Sequence, residues 1–235
     1  MARVTFSRIQ MFLNGETSCR KRWPRVEIVG SPLFSPQNHF VVVDGGLRQV
    51  SERNFSHATV RWIGDGDSLE PGALQAFERL VNLSGGEFSS SLFPSDKDLS
   101  DCALALQIVS KSVILDQGVL VEVFGACGGR WDHALITYQE LVNWVAQSAC
   151  PTTVVADFGL VTNQAVEVFL QEGSVFSILA SESKTLVNVV GGRYAGKLCF
   201  SRPSSGLSNE VKTSPVALDP RSGAAILLWN LDKES

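Results

Sequence analysis

Asp65 and Asp67 stand two residues apart in the run Gly64-Asp65-Gly66-Asp67-Ser68. In an extended segment both side chains leave the same face. Two carboxylates aimed at one point repel each other unless a cation lies between them. Mg2+ suits such a place, because it takes oxygen ligands, keeps several waters and binds through one or two carboxylates plus substrate phosphates. Gly66 adds no side chain and permits a tight path. Two more acidic groups flank this one in sequence: Asp44 in Asp44-Gly45-Gly46, and Asp96, Asp98 and Asp101 in Ser95-Asp96-Lys97-Asp98-Leu99-Ser100-Asp101. Each has an ordinary reading of its own. Asp-Gly-Gly is a turn, Asp-x-Asp occurs in surface loops, and Asp98 or Ser100 could cap a following helix. Their conjunction carries more weight than any single group.

The run Gly125-Ala126-Cys127-Gly128-Gly129-Arg130-Trp131-Asp132-His133 also has chemistry in reach. Glycines let backbone N–H groups approach phosphate oxygens, and a helix N-terminus favours negative charge. Arg130 could fork onto a phosphate or pair with Asp132 as a structural ion pair. The spacing fits neither the dinucleotide fingerprint nor the P-loop. His133 could move a proton or pack beneath the turn. His39 and His57 have no metal-ligand spacing with it, which disfavours a zinc hydrolase. The absence of G-x-S-x-G disfavours a serine hydrolase of that type.

These groups need strands and helices to position them. Short apolar runs at 26–30, 40–43, 59–63 and 119–124 end at Gly or Asp, as strands entering loops do. Helical spacing of apolar residues covers 71–83, 101–113 and 132–146. Strands alternating with helices predict crossover units and a mainly parallel sheet. Ligands of such sheets bind outside the carboxyl ends of the strands, which would line all three acidic groups along one edge. Past Cys150-Pro151 the pattern changes to short β-rich runs at 153–156, 166–170, 175–179, 186–190, 197–200, 211–213 and 224–229, without a helix. That predicts a small all-β sandwich or barrel. The expected layout is an N-terminal extension at 1–25, an α/β domain with a mainly parallel sheet at 26–150, and an all-β sandwich at 151–235.

The bulk composition narrows the partners. Hydrophobic residues at 44% against 19% charged allow a sizeable core. A formal net charge of -4 offers no basic footprint for nucleic acid. No apolar run approaches the roughly 18 residues of a membrane span. Arg3, Arg8, Arg20, Lys21, Arg22 and Arg25 make the N-terminus basic, but no long apolar stretch follows, so it reads as an extension or edge segment. The five cysteines form no C-x-x-C pair, which points to a reducing, cytoplasmic setting.

In this order and at these separations, the motifs resemble those of the thiamine pyrophosphokinases: Asp44-Gly45-Gly46, Gly64-Asp65-x-Asp67-Ser68, Asp96-Lys97-Asp98-x-Ser100-Asp101 and Gly128-Gly129-Arg130-x-Asp132-His133. Gly192-Arg193-Tyr194 and Gly206-Leu207-Ser208-Asn209-Glu210 resemble that family's C-terminal segments. The resemblance implies transfer of the terminal diphosphate of ATP to the hydroxyl of thiamine, with AMP released. It implies Mg2+ as cofactor and a homodimer with thiamine at the subunit interface. Asp65, Asp67, Asp98 and Asp101 would be catalytic, with Asp65, Asp67 and Asp98 on the metal. Asp44, Gly45, Gly46, Ser68, Lys97, Gly128, Gly129, Arg130 and Asp132 would bind ATP. Tyr194, Ser208 and Asn209 would lie near thiamine, although Tyr194 could also be a half-buried strand tyrosine. Gly66, Ser100 and Leu47-Arg48 depart from the family's usual residues. The acidic set would also fit a magnesium-dependent transferase with another hydroxyl acceptor, or a non-catalytic protein that binds thiamine or a nucleotide.

Overall fold

The structure, a computed structural model, describes residues 5–14, 23–30, 33–34, 37–50, 53–96, 98–112, 118–127 and 130–229. In chain order its elements are β1 (Thr5–Phe12), β2 (Arg25–Ile28), β3 (Leu33–Phe34), β4 (His39–Val43), β5 (Thr59–Gly64), α1 (Ala73–Leu83), β6 (Glu87–Leu92), α2 (Asp101–Ser112), β7 (Gly118–Phe124) and α3 (Trp131–Gln147). Then follow β8 (Thr152–Ala156), β9 (Gly159–Thr162), β10 (Val166–Phe169), β11 (Val175–Ala180), β12 (Thr185–Val190), β13 (Gly196–Phe200), β14 (Asn209–Glu210), β15 (Val216–Pro220) and β16 (Ala225–Trp229). Short 3-10 turns cover Asp44–Gln49 and Pro203–Gly206.

One long sheet runs β14-β11-β16-β9-β8-β7-β1-β4-β5-β6, with β3 also on β1. From β8 to β6 every pairing is parallel. From β8 outward to β14 every pairing is antiparallel. The fold is thus an α/β arrangement followed by a β-rich part. The expected break at 150/151 does not interrupt the sheet, because β8 adds to β7 in parallel and only β9 starts the antiparallel half.

The segment 1–25 proves to be more than an extension. Its strand β1 lies at the centre of the parallel region, between β7 and β4. Charge hid it in the sequence, and pairing explains it. The Arg8 guanidinium donates to both carboxylate oxygens of Glu122 at 3.1 and 2.7 Å, and the Gln10 amide donates to the same carboxylate at 2.9 Å. Phe6 lies over Gly118, where a Cβ would sit 2.1 Å from its ring, so the register of β1 on β7 depends on that glycine. The run 26–30, expected in the same sheet, instead supplies β2 to a second, five-stranded antiparallel sheet of order β13-β12-β15-β10-β2. The serine-rich β6 was not expected either. As an edge strand it needs only the ladder to β5.

Alternate residues of the parallel strands feed two cores, since both faces are covered. Val41 and Val43 join a cluster with Leu106 of α2 and Leu141 of α3. Phe40 and Val42 join another with Phe77 and Val81 of α1. A third cluster, including Leu160, Ile178, Val187 and Leu218, lies between the antiparallel half of the long sheet and the second sheet.

Candidate functional site

The carboxyl ends of β1, β4, β5, β6, β7 and β8 lead into Asn14, Asp44, Asp65, the Asp96–Asp101 loop, the Gly125 turn and Asp157 respectively. The acidic groups therefore share one edge of the sheet, as the sequence reading expected. One carboxylate oxygen each from Asp44, Asp65 and Asp67 falls within 4.8 Å of the others.

Asp44 is the buried member, 5% exposed, with a left-handed φ of 43°. Its neighbours leave it little freedom. A Cβ at Gly45 would meet the Asn14 side-chain oxygen at 2.1 Å, and one at Gly46 would meet the Phe12 carbonyl oxygen at 2.2 Å. The Trp62 indole N–H donates to the Asp44 carbonyl at 3.3 Å. The Oδ1 of Asp44 is buried with no hydrogen-bond partner among the described residues. A Cβ at Gly64 would stand 3.0 Å from that oxygen. Gly64→Ala is therefore expected to destabilise the fold by about 1–3 kcal/mol, the usual cost of overpacking. Denaturant melts measure this, and an unmoved midpoint would contradict the tight approach of β5 to Asp44.

The Asp65–Ser68 loop is held from within and from outside. Asp65 Oδ1 accepts the Asp67 N–H at 3.1 Å, and the Ser68 hydroxyl donates to Asp67 Oδ1 at 3.0 Å. Gly66 takes a φ of 80°, which gives that departure from the family pattern a conformational reason. Arg48, another departure, donates to the Ser68 carbonyl at 3.0 Å, and Asn14 reaches the Ser68 hydroxyl at 3.5 Å.

The structure groups Asp44, not Asp98, with Asp65 and Asp67. Asp44 ends the strand adjacent to β5, whereas Asp98 is exposed in the loop after β6. Ser100 takes the capping role for α2: its hydroxyl accepts the Ala103 N–H at 3.0 Å and donates to Glu140 of α3 at 2.7 Å. Asp101 is the first residue of that helix. Lys97, Gly128 and Gly129 lie outside the described residues. Arg130 forks onto Asp132 at 3.1 and 2.5 Å at the exposed start of α3. That hydrogen bond holds the Asp132 carboxyl below its ordinary range and raises the Arg130 guanidinium above its own. His133 is exposed and does not pack under the turn.

Tyr194 and Asn209 come together at the other end of the long sheet. The buried Asn209 side chain accepts the Tyr194 N–H at 3.0 Å and donates to the Tyr194 carbonyl at 2.9 Å. Tyr194 is 58% exposed, and so not the half-buried strand tyrosine of the alternative reading. Ser208 is exposed, with a left-handed φ of 56°. β14 and β5 are eight strand steps apart in the sheet order. At about 4.8 Å per step that is roughly 38 Å along the sheet.

Asn14, Arg53 and Asp157 also lie at this edge, and no local pattern singled out Asn14 or Arg53. Arg53 lies 5.4 Å from the Phe12 ring centroid and 5.0 Å from that of Phe124. Asp157 directly follows the expected strand 153–156, so it carried the same signal as Asp44. That strand reads in sequence as the start of the all-β part, yet it pairs in parallel with β7.

Fold and site together define a parallel-sheet α/β protein with a carboxylate cluster at the edge where such sheets take their ligands. Residues 31–154 match the family model of the thiamin pyrophosphokinase catalytic domain. The chain belongs to the thiamine pyrophosphokinase family. Its structure is similar to the thiamine pyrophosphokinase of Bacillus subtilis, at 17% identity and a TM-score of 0.63, over 97% of this chain and 100% of that one. It is also similar to the enzyme of Geobacillus thermodenitrificans, at 18% identity and 0.60 over 98% and 99%, and to that of Candida albicans, at 12% and 0.58 over 95% and 90%. At these identities the likeness is one of fold. No curated protein sequence matches the chain.

Proposed function

We propose that this chain transfers diphosphate from ATP to the hydroxyl of thiamine, giving thiamine diphosphate and AMP, with Asp44, Asp65 and Asp67 serving the polyphosphate end through Mg2+. The convergence of those three carboxylates carries the reading. They fit the ion in kind, as hard oxygen donors. They fit it in size too: ligands about 2.1 Å from one ion lie at most about 4.2 Å apart, so a spread within 4.8 Å needs little adjustment. The partnerless Oδ1 of Asp44 supplies the reason for a cation there, since a buried charge without a partner is costly.

Bound magnesium would neutralise charge on the β- and γ-phosphates. The chain's own residues do the rest by placement, as phosphoryl transfers require. The thiamine hydroxyl attacks the β-phosphorus in line, an O–P bond forms, and the bond to the AMP oxygen breaks. Asp98 or Asp101 accepts the hydroxyl proton. Arg130 is free to exchange its exposed carboxylate partner for a phosphate. The exposed Tyr194 offers a π face to the cationic thiazolium.

Tyr194, Ser208 and Asn209 stand too far along the sheet from the aspartates to share one substrate within a chain. A homodimer resolves this, with the β-rich end of one subunit facing the carboxylate edge of the other. A cytoplasmic setting agrees with the free thiols of Cys102, Cys150 and Cys199. No helix among the described residues is long and apolar enough to cross a membrane. Purified protein given ATP, Mg2+ and thiamine is expected to form thiamine diphosphate and AMP in equal amounts. AMP formed only with another hydroxyl compound would mark a different acceptor, and thiamine binding without AMP would mark a non-catalytic protein.

A further inference from the structure

The turn after β7 is folded around a carboxylate. Asp157, directly after β8, accepts the Ala126 N–H at 2.9 Å and the Cys127 N–H at 3.4 Å through one oxygen, Oδ2. The Gly125 N–H and the Trp23 indole also favour its charged form. Trp23 in turn stacks on Phe124, the last residue of β7, with ring centroids 4.7 Å apart and planes 14° apart. Backbone N–H groups aimed at one point in a glycine-rich turn form a site for an anion. Here the anion is internal. A carboxylate at this edge could repel a polyphosphate, but this one is half-buried with its charge spent on backbone donors. Burial pushes its carboxyl above the ordinary range, and the N–H donors pull it back.

We propose that Asp157 is a positioning residue: it gathers the N–H groups of the turn after β7 and so sets the approach to Arg130 and Asp132 at the start of α3. This rests on the reading of Gly128, Gly129, Arg130 and Asp132 as ATP-binding. Those residues follow directly on the clamped segment, and Arg130 opens α3. The clamp also gives Trp23, just before β2, a task, because its ring stacks on Phe124 at the start of the same turn. The N–H groups of Ala126 and Cys127 are thereby withdrawn from phosphate binding.

The test is steady-state kinetics on wild type, Asp157→Asn and Trp23→Phe, with ATP and thiamine varied separately. Asn keeps the shape and one acceptor oxygen but removes the charge, so the hydrogen bonds from the turn become neutral and weaker. Asp157→Asn is expected to raise the KM for ATP about tenfold, the scale of exchanging charge-assisted hydrogen bonds for neutral ones, while the KM for thiamine moves less than about twofold. Trp23→Phe keeps the ring on Phe124 and removes one donor, and it is expected to raise the ATP KM by about two- to threefold. An ATP KM in Asp157→Asn within about twofold of wild type overturns the positioning role. So does an equal loss in both KM values, which a general loosening of the fold would cause. Should Asp157→Asn fail to fold, an unmoved ATP KM in Trp23→Phe overturns it. A wild-type chain that forms no AMP overturns the underlying reading as well, whereas an active wild type with an unmoved ATP KM in Asp157→Asn removes the positioning role alone.

Discussion

Asp44→Asn is expected to lose nearly all turnover and to melt no lower than wild type when divalent ions are absent. The two halves of this result have one cause. Asp44 is 5% exposed, one of its oxygens has no hydrogen-bond partner among the described residues, and Asp65 and Asp67 add like charge within 4.8 Å. Without a cation such a carboxylate opposes folding. An amide of the same shape removes the charge, and Asn tolerates the left-handed φ of 43° at this position. With a cation the balance reverses, because the carboxylate becomes the buried anchor of the ion. The variant should therefore lose most of the rise in melting temperature that Mg2+ and ATP give the wild type. Turnover should fall by about a thousandfold or more, the scale of removing electrostatic stabilisation from a developing phosphoryl transition state. Assay and thermal melts on the same preparation check both halves. Activity above about a tenth of wild type would remove Asp44 from the metal set. A lower melting point without Mg2+ would show that the carboxylate holds the fold by contacts of its own.

Two inactive variants, mixed, are expected to recover activity. Asp67→Ala disables the carboxylate edge. Tyr194→Ala combined with Ser208→Ala removes side chains proposed to meet thiamine, and both are exposed, so the fold should survive. Each variant alone should fall below about a hundredth of wild type. If the site is shared across a dimer, exchanged subunits carry one intact site per mixed dimer. Random mixing then restores about a quarter of wild-type activity. Tagged subunits confirm the exchange by co-purification. Exchange without recovered activity would place both ends of the site in one chain, and the separation of eight strand steps would then need another explanation.

Much of the catalytic edge was legible because it rests on local pattern. A short β-branched run followed by Asp or Gly marks a strand entering a loop; β4 ended where its pattern ended and β5 one residue later. Helical spacing found α1, α2 and α3 to within two residues at either end. β1 was illegible for an equally physical reason. Arg8 and Gln10 break its apolar pattern, and the Glu122 that makes them tolerable is more than a hundred residues away. β6 is rich in serine and β2 is short, and neither declares its partner strand.

By itself the amino-acid sequence determined the ordered acidic motifs, the family they resemble, and the alternation of strands and helices that sends those motifs to one edge of a parallel sheet. Only the tertiary structure decided which acids meet. It put Asp44 beside Asp65 and Asp67, left Asp98 exposed, and turned Asp157 inward onto the turn after β7. The reason is that periodicity reports which face a residue takes within its own element. The neighbour of a strand is set by hydrogen-bonded pairing between segments distant in the chain, and that pairing fixes which side chains share a site.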